Sequence, residues 1–170
     1  NCLVRWLAPS LVFTCEEAWK ARGNTTSIHL EDFDVIDNNF NNELINKKWK
    51  IVREVRKVIT GALEIKRLDK IIRSSLEASI DVYVSSEIYT NIKDIPLSEV
   101  TITSNVNIIE SNNHNKNNFS INEIEGVSIV VKKAKGNKCA RCWQIQSDIK
   151  QIEGICLRCE DAVNTIGLIS

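Results

Sequence analysis

The sequence predicts an α+β protein in three parts, and three observations lead to this fold class. Apolar residues recur every three or four positions from Glu43 to about Ile72, which indicates a long amphipathic helix. Apolar and polar residues then alternate in short runs, which is typical of strands. Two C-x2-C cysteine pairs near the end predict a metal-bound tail. We therefore expect a helical bundle over residues 1–72, a small α+β domain over residues 73–135 and a cysteine-containing domain over residues 136–170.

Two short helices are predicted before the long one. Apolar residues at helical spacing run over residues 2–11, with a bend or stop at Pro9. Thr14 and Glu17 have the spacing of a capping box, which predicts a second helix that ends before Gly23, and residues 27–30 should be extended. The apolar face of the long helix is too wide to remain in water, so we expect it to pack on the first two helices. Gly61 in that helix is either tolerated or marks a close packing contact.

Three strands are predicted in the second part. Alternating apolar residues indicate strands at 76–84, 97–109 and 126–131, with a short helix at 86–93. The Asn-rich segment 111–122 should be a hairpin loop or an insertion without a function of its own. The third strand leads the chain into the cysteine pairs, and a closing helix is expected at 160–168.

The cysteine spacing predicts one zinc ion per chain, bound by Cys139, Cys142, Cys156 and Cys159. Each pair can direct two thiolates at one cation, and two pairs complete the tetrahedral sulfur set that zinc prefers. Two disulfides or a redox pair are weaker alternatives, because no redox-type fold is indicated around either pair. Iron also accepts four thiolates and stays open as an alternative. A closed set of four thiolates leaves no position for water, so the metal should fold the tail without taking part in catalysis.

Basic residues are unevenly distributed although the formal net charge is zero. Residues 41–74 contain ten Lys or Arg against four acidic residues, and residues 132–143 contain five basic residues and no acid. Such local basic surface fits binding to a polyanion such as a nucleic acid, although a solvated helix face is the commoner meaning of a basic run.

Several functional classes are disfavoured by what the sequence lacks. It has no run of 18 apolar residues, which argues against a membrane-spanning segment, and no secretory leader. Histidine occurs only at His29 and His114, and we find neither a Gly-rich phosphate loop nor a Ser/His/Asp set. Because no catalytic set is found, we expect a non-catalytic binding module. The chain begins without Met inside an apolar run, so we also expect it to be cut from a longer protein. Metal-binding cysteines beside the free Cys2 and Cys15 suit the cytoplasm.

Motifs along almost the whole chain resemble the C-terminal third of bacterial-type isoleucyl-tRNA synthetases, a family of class I aminoacyl-tRNA synthetases. The most specific are the Ser-Leu-Glu-Ala element at 75–78 and the Cys-x-Arg-Cys-Trp knuckle at 139–143. The family usually has Ile-Gly before the Ser-Leu-Glu-Ala element, whereas this chain has Ile72-Arg73. Further matching residues are Arg5-Trp6-Leu7-Ala8-Pro9, Phe13 to Trp19, Ser27 to Leu30, Trp49, Val52-Arg53, Val55, Leu63-Glu64, Lys70, Ala134, Gly136, Lys138 and Cys156-Leu157-Arg158-Cys159.

This resemblance implies a parent enzyme that uses ATP to join isoleucine to its tRNA, with the catalytic and editing domains upstream. Residues 1–72 would then be an N-terminally truncated anticodon-binding domain, residues 73–135 a junction domain, and residues 136–170 the zinc-binding domain. This part would contain no catalytic residue and would not bind ATP. It would grip the anticodon stem-loop of the isoleucine tRNA, and we expect it to be a monomer with no membrane partner.

Four residues are the candidate tRNA contacts. The basic side of the long helix offers Arg53 and Lys57, and the knuckle offers Arg141 and Trp143. An exposed Trp143 can stack on an unpaired base, whereas a buried Trp143 would pack against the thiolates. The alternative function is a free-standing zinc-ribbon module that binds another protein.

Overall fold

Six helices and five strands are formed by residues 2–111, 118–149 and 154–167, which are the residues that the computed structural model describes. The fold class is α+β, as predicted. No helix in these ranges is both long and apolar enough to span a bilayer. In chain order the elements are α1 (Cys2–Leu7), α2 (Val12–Ala21), α3 (Glu43–Leu68), β1 (Ala78–Val84), α4 (Ser86–Ile92), α5 (Leu97–Thr101), β2 (Asn105–Glu110), β3 (Val127–Lys133), β4 (Asn137–Lys138), β5 (Ile145–Gln146) and α6 (Leu157–Gly167).

Contacts divide the chain into two compact units, and the first ends at Glu43. Its small core consists of Ala8, Cys15, Trp19 and Ile28. The predicted capping box is wrong, because α2 already begins at Val12 and no side chain caps its first turn. The neighbouring Glu16 carboxylate accepts hydrogen bonds from the Ser27 hydroxyl at 2.9 Å and the Ile28 amide at 3.0 Å. Those bonds hold residues 28–30 as a 3-10 turn and not as the extended piece that was expected.

The second unit begins at Leu44 and contains a three-stranded sheet in the order β2-β1-β3. The central strand β1 runs parallel to β2 and antiparallel to β3. Alternate residues of β1 form an apolar row with no solvent exposure, and Ile80 and Val82 lie at its middle. Such a row needs an apolar cover, because leaving it in water would forfeit roughly 25 cal/mol for each Å² of apolar surface.

The long helix α3 supplies that cover, whereas its expected packing on the first two helices stays a prediction. Its buried residues belong to one hydrophobic cluster with the sheet. The boundary between the two compact units falls between Glu43 and Leu44, and the predicted domain boundary at residue 72 stays a prediction. The predicted boundary between residues 135 and 136 stays a prediction. The helical residues in the cluster are Val52, Val55, Val58, Ile59, Ala62 and Leu63.

The predicted strand at 97–109 is wrong in its first half. Residues 97–101 form helix α5, whose buried Leu97 and Thr101 are one helical turn apart. The left-handed Ile102, with φ of 55°, ends that helix, and the strand β2 starts only at Asn105. The predicted elements at 86–93 and 126–131 are confirmed as α4 and β3. Residues 112–117 of the Asn-rich segment, including His114, lie outside the described residues.

Gly61 is a close packing contact. A Cβ atom added to Gly61 would lie 3.0 Å from Cζ of Phe119, which pairs with Ile129 of β3. We expect Gly61→Leu to lower the free energy of unfolding by roughly 1–3 kcal/mol, because Phe119 must move aside. Chemical denaturation measures the change. In a Phe119→Ala background most of the loss should disappear, whereas fully additive losses would contradict the contact.

Candidate metal centre and nucleic-acid interface

The first cysteine pair lies in a short hairpin whose arms are β4 and β5. Asn137 pairs with Gln146 and Lys138 pairs with Ile145. Gly136 has a φ of +124°, and a Cβ atom there would lie 2.3 Å from the carbonyl oxygen of Gln146. Only glycine fits at this position, because both the positive φ and the close backbone approach exclude a side chain. The hairpin therefore delivers Cys139 and Cys142 in a fixed turn.

The four predicted cysteines come together in the fold. Their sulfur atoms all lie within 4.8 Å of one another, and the Sγ atoms of Cys142 and Cys156 are 3.8 Å apart. Four thiolates at about 2.3 Å around a tetrahedral zinc ion stand roughly 3.8 Å apart, so the observed spacing fits zinc. Cys139, Cys156 and Cys159 are buried and Cys142 is half-buried. The arrangement suits a closed structural site.

Burial and hydrogen bonds shift the pKa values of thiols in both cysteine pairs. Burial opposes ionisation of Cys139, but hydrogen bonds from the amides of Cys142 and Cys156, at 3.5 and 3.4 Å, outweigh it and lower its pKa to about 6. Burial raises the pKa of Cys142 and raises that of Cys156 to about 12. Cys159 lies in the first turn of α6, and Nη1 of Arg141 lies 3.8 Å from its sulfur. The lowered pKa means that the thiol of Cys139 is largely ionised at neutral pH without a metal.

These pKa values predict how zinc binding depends on pH. Zinc binds thiolates, so protons still held by the ligands must leave. At pH 7 the thiols of Cys142 and Cys156 are protonated and Cys139 is largely ionised, so at least two protons should be released per zinc. Zinc affinity should rise with pH, and it should fall more steeply below about pH 6, where Cys139 also binds a proton. Competition with a chromophoric chelator between pH 5.5 and 8 measures this; an affinity independent of pH would contradict it.

Trp143 lies on the surface directly after the first cysteine pair. Its side chain is 59% exposed, and it belongs to none of the buried clusters. Its backbone is left-handed, with φ of 66°, and its amide donates to the carbonyl of Cys139 at 3.0 Å. Nζ of Lys138 lies 5.3 Å from the centre of the ring. The cysteine turn therefore holds an aromatic ring and a cation side by side at the surface.

A cleft of about 260 Å³ joins Trp143 to the Ser-Leu-Glu-Ala element, a proximity that the sequence alone did not reveal. Leu76 and Ile145 supply apolar surface, and Ser74, Glu77 and Lys138 supply polar groups at its edge. The two motifs are separated by more than sixty residues, and no periodicity connects them. Only the docking of the cysteine hairpin beside β1 brings them together.

The two candidate contacts on the long helix are also at the surface. Arg53 and Lys57 are both exposed on α3, one turn apart. Nζ of Lys57 lies 3.5 Å from a carboxylate oxygen of Glu123, and both side chains are largely in solvent. An ion pair of this kind is worth about 0–1 kcal/mol, so it leaves Lys57 able to exchange partners.

Residues 1–84 match the sequence model of the family described as the anticodon-binding domain of tRNA ligase. The matched range contains α1, α2, α3 and β1 and ends before the four-thiol tail, so the matching family is one of tRNA ligase domains.

Three similar proteins indicate which tRNA ligases this chain resembles. Isoleucine–tRNA ligase of Mesorhizobium japonicum is 42% identical over 156 residues, which cover 89% of this chain and 16% of that protein. Isoleucine–tRNA ligase of Bartonella henselae is 42% identical over 86% of this chain, and that of Rhodopseudomonas palustris is 39% identical over 88% of it. The match covers 15% of each of these two proteins. The chain corresponds to a C-terminal region of the isoleucine–tRNA ligases, which confirms the resemblance seen in its sequence. It spans about a sixth of the length of these relatives.

Proposed function

We propose that this chain is the part of an isoleucine–tRNA ligase that binds the anticodon stem-loop of the isoleucine tRNA. The observation that supports this most is an exposed Trp143 held by the cysteine turn, in a chain whose first half matches an anticodon-binding domain. The whole enzyme would use ATP to join isoleucine to tRNA in the cytoplasm, with its catalytic and editing domains outside this chain. This chain would contribute no catalytic residue and would act as a monomer.

Zinc is the metal that we propose for Cys139, Cys142, Cys156 and Cys159. When bound, it would supply four strong bonds that close the tail and no reaction chemistry. Arg141 and Trp143 lie beside the ligands in the chain, so the fixed turn holds their backbone before RNA arrives. Ordering that is completed in advance reduces the conformational entropy lost on binding.

A binding measurement with two RNAs tests the proposed function. A transcript of an isoleucine-accepting tRNA should bind this chain, and the same transcript with a changed anticodon should bind more weakly. Contacts to unpaired loop bases distinguish the two RNAs, whereas contacts to phosphates do not. Equal binding of both RNAs would contradict anticodon recognition. Salt-insensitive binding to a protein, without binding to tRNA, would instead support the alternative of a zinc-ribbon interaction module.

Substituting the basic side of α3 should weaken binding in a way that depends on salt. Arg53→Gln and Lys57→Gln should each weaken binding to any tRNA and reduce the slope of log K against log salt concentration by about one unit for each phosphate that is no longer neutralised. Titrations at several salt concentrations measure the slope. Glu123→Gln is the matched control, since it releases Lys57 from its ion pair and should leave affinity equal or slightly higher. Unchanged slopes for both basic variants would remove α3 from the interface.

A further inference from the structure

The turn between α5 and β2 holds the strand that follows Trp143. Nε2 of Gln144 donates to the carbonyl of Thr103 at 3.2 Å, and the amide of Ile145 donates to Oγ of Ser104 at 2.7 Å. Nε2 of Gln146 donates to the carbonyl of Ser104 at 3.2 Å. Three consecutive residues of the cysteine hairpin are therefore bound to two consecutive residues of the sheet domain.

Ser104 is the centre of this junction. Its hydroxyl also donates to the carbonyl of Leu76, and its amide donates to the carbonyl of Ala78 at 3.1 Å. Ser104 is 5% exposed, so water does not compete freely for these bonds. Leu76 and Ile145 both line the cleft beside Trp143. A single hydroxyl group thus connects two residues that line the cleft.

We propose that Ser104 is a positioning residue for RNA binding: it fixes the cysteine hairpin on the sheet so that Trp143 faces the Ser-Leu-Glu-Ala element across the cleft. The proposal rests on the proposed function, because it assumes that Trp143 contacts RNA. Ser104 itself lies in the interior and would not touch the RNA.

The four thiols and Ser104 have different effects on the position of Trp143. The four thiols set the local shape of the turn, and Ser104 sets the direction in which that turn points. Without the hydroxyl, the carbonyl of Leu76 and the amide of Ile145 would both lose this partner in a partly buried place, which is unfavourable. Admitting water to pair them requires the hairpin to move away from the sheet. Trp143 would then lose its fixed relation to Leu76 and Glu77 while the thiol site stayed intact.

The test is Ser104→Ala in this chain loaded with zinc. We expect one zinc per chain as in the unsubstituted protein, and about three- to tenfold weaker binding of an isoleucine-accepting tRNA transcript, which is the loss expected for one or two hydrogen bonds. In protein labelled with 5-fluorotryptophan, the fluorine resonance of Trp143 should also shift. Trp143→Phe identifies that resonance among the four tryptophans.

Two further variants separate positioning from general damage. Gln146→Met removes a bond to the same turn without disturbing the buried hydroxyl, and it should shift the Trp143 resonance in a folded protein. Glu99→Gln breaks the ion pair between Glu99 and Arg158, which is 2.9 Å long and largely in solvent. Because an exposed pair contributes little, Glu99→Gln should leave the resonance and the affinity unchanged.

Two results would overturn the positioning role of Ser104. An unchanged Trp143 resonance in both Ser104→Ala and Gln146→Met would overturn the proposal, whatever happens to affinity. A shifted resonance with normal tRNA affinity would overturn it as well, provided that Trp143→Ala does weaken binding. If Trp143→Ala binds tRNA normally, the proposed function of that residue fails, and the shifted resonance then reports only on how the hairpin is held.

Discussion

Replacing Cys159 by Ser is expected to unfold the chain from residue 136 onward while the sheet and α3 stay folded. The tail has a small core, made of Ile149 and the buried cysteines themselves, so few apolar contacts remain once the metal is lost. Structural zinc contributes about 10–16 kcal/mol to the folding of zinc-finger peptides, far more than so small a core can replace. The sheet and α3 have a separate and larger buried cluster, which should survive.

Metal content and local protection are the two measurements for this prediction. Elemental analysis should give one zinc per chain before the substitution and none after it, and amide hydrogen exchange should become fast in β4, β5 and α6 alone. Cys2→Ser is the matched control, since Cys2 is an exposed free thiol and should not matter to the metal. Protein purified without chelator and found to lack metal would contradict the zinc proposal. Loss of protection in β1 as well would show that the two cores fold together.

Replacing Trp143 by Ala is expected to weaken tRNA binding by about 1–3 kcal/mol, because stacking of one base on an aromatic ring contributes that amount. The salt dependence should stay nearly unchanged, since the indole ring carries no charge and contacts no phosphate. Thermal stability should change little, because more than half of the side chain is in solvent. Binding titrations at two salt concentrations and a melting curve measure all three quantities.

Trp143→Phe is the matched variant, since it keeps an aromatic face and should lose less affinity than Trp143→Ala. Normal tRNA binding together with a lower melting temperature would instead make Trp143 a structural residue of the thiol site. The RNA-reading role of the knuckle would then rest on Arg141. Arg141 already interacts with the sulfur of Cys159, so a second role at the RNA would compete with that contact.

The parts of the fold that the sequence predicted are those in which local chemistry decides. The cysteine spacing was sufficient to predict the four-thiol group, because two residues between paired cysteines let both thiols reach one cation. The spacing of apolar residues was sufficient to predict helix α3, since a repeat of 3.6 residues is visible within a short stretch of sequence. The capping box failed because Thr14 already lies inside α2, which begins at Val12, so its hydroxyl is not at the helix start.

The packing of α3 could not be predicted, because its apolar face shows that a cover exists but not which surface provides it. Helix α5 was missed for a related reason: a short run of buried and half-buried apolar residues fits a strand as well as a helix. The cleft beside Trp143 and the role of Ser104 depend on contacts between residues about thirty to seventy positions apart. No local pattern in the sequence encodes such contacts.

The central position of β1 has a consequence for incomplete chains. Both edges of β1 are paired in the finished fold. The residues of β3, however, lie 43 to 55 positions after their partners in β1. A chain that stops before Val127 would leave the edge of β1 that β3 occupies open, next to the apolar row of Ile80 and Val82. An open, apolar strand edge is a template for pairing with other molecules. Truncated chains of this kind are expected to aggregate, whereas chains cut between β3 and the cysteine hairpin would keep the sheet closed and soluble.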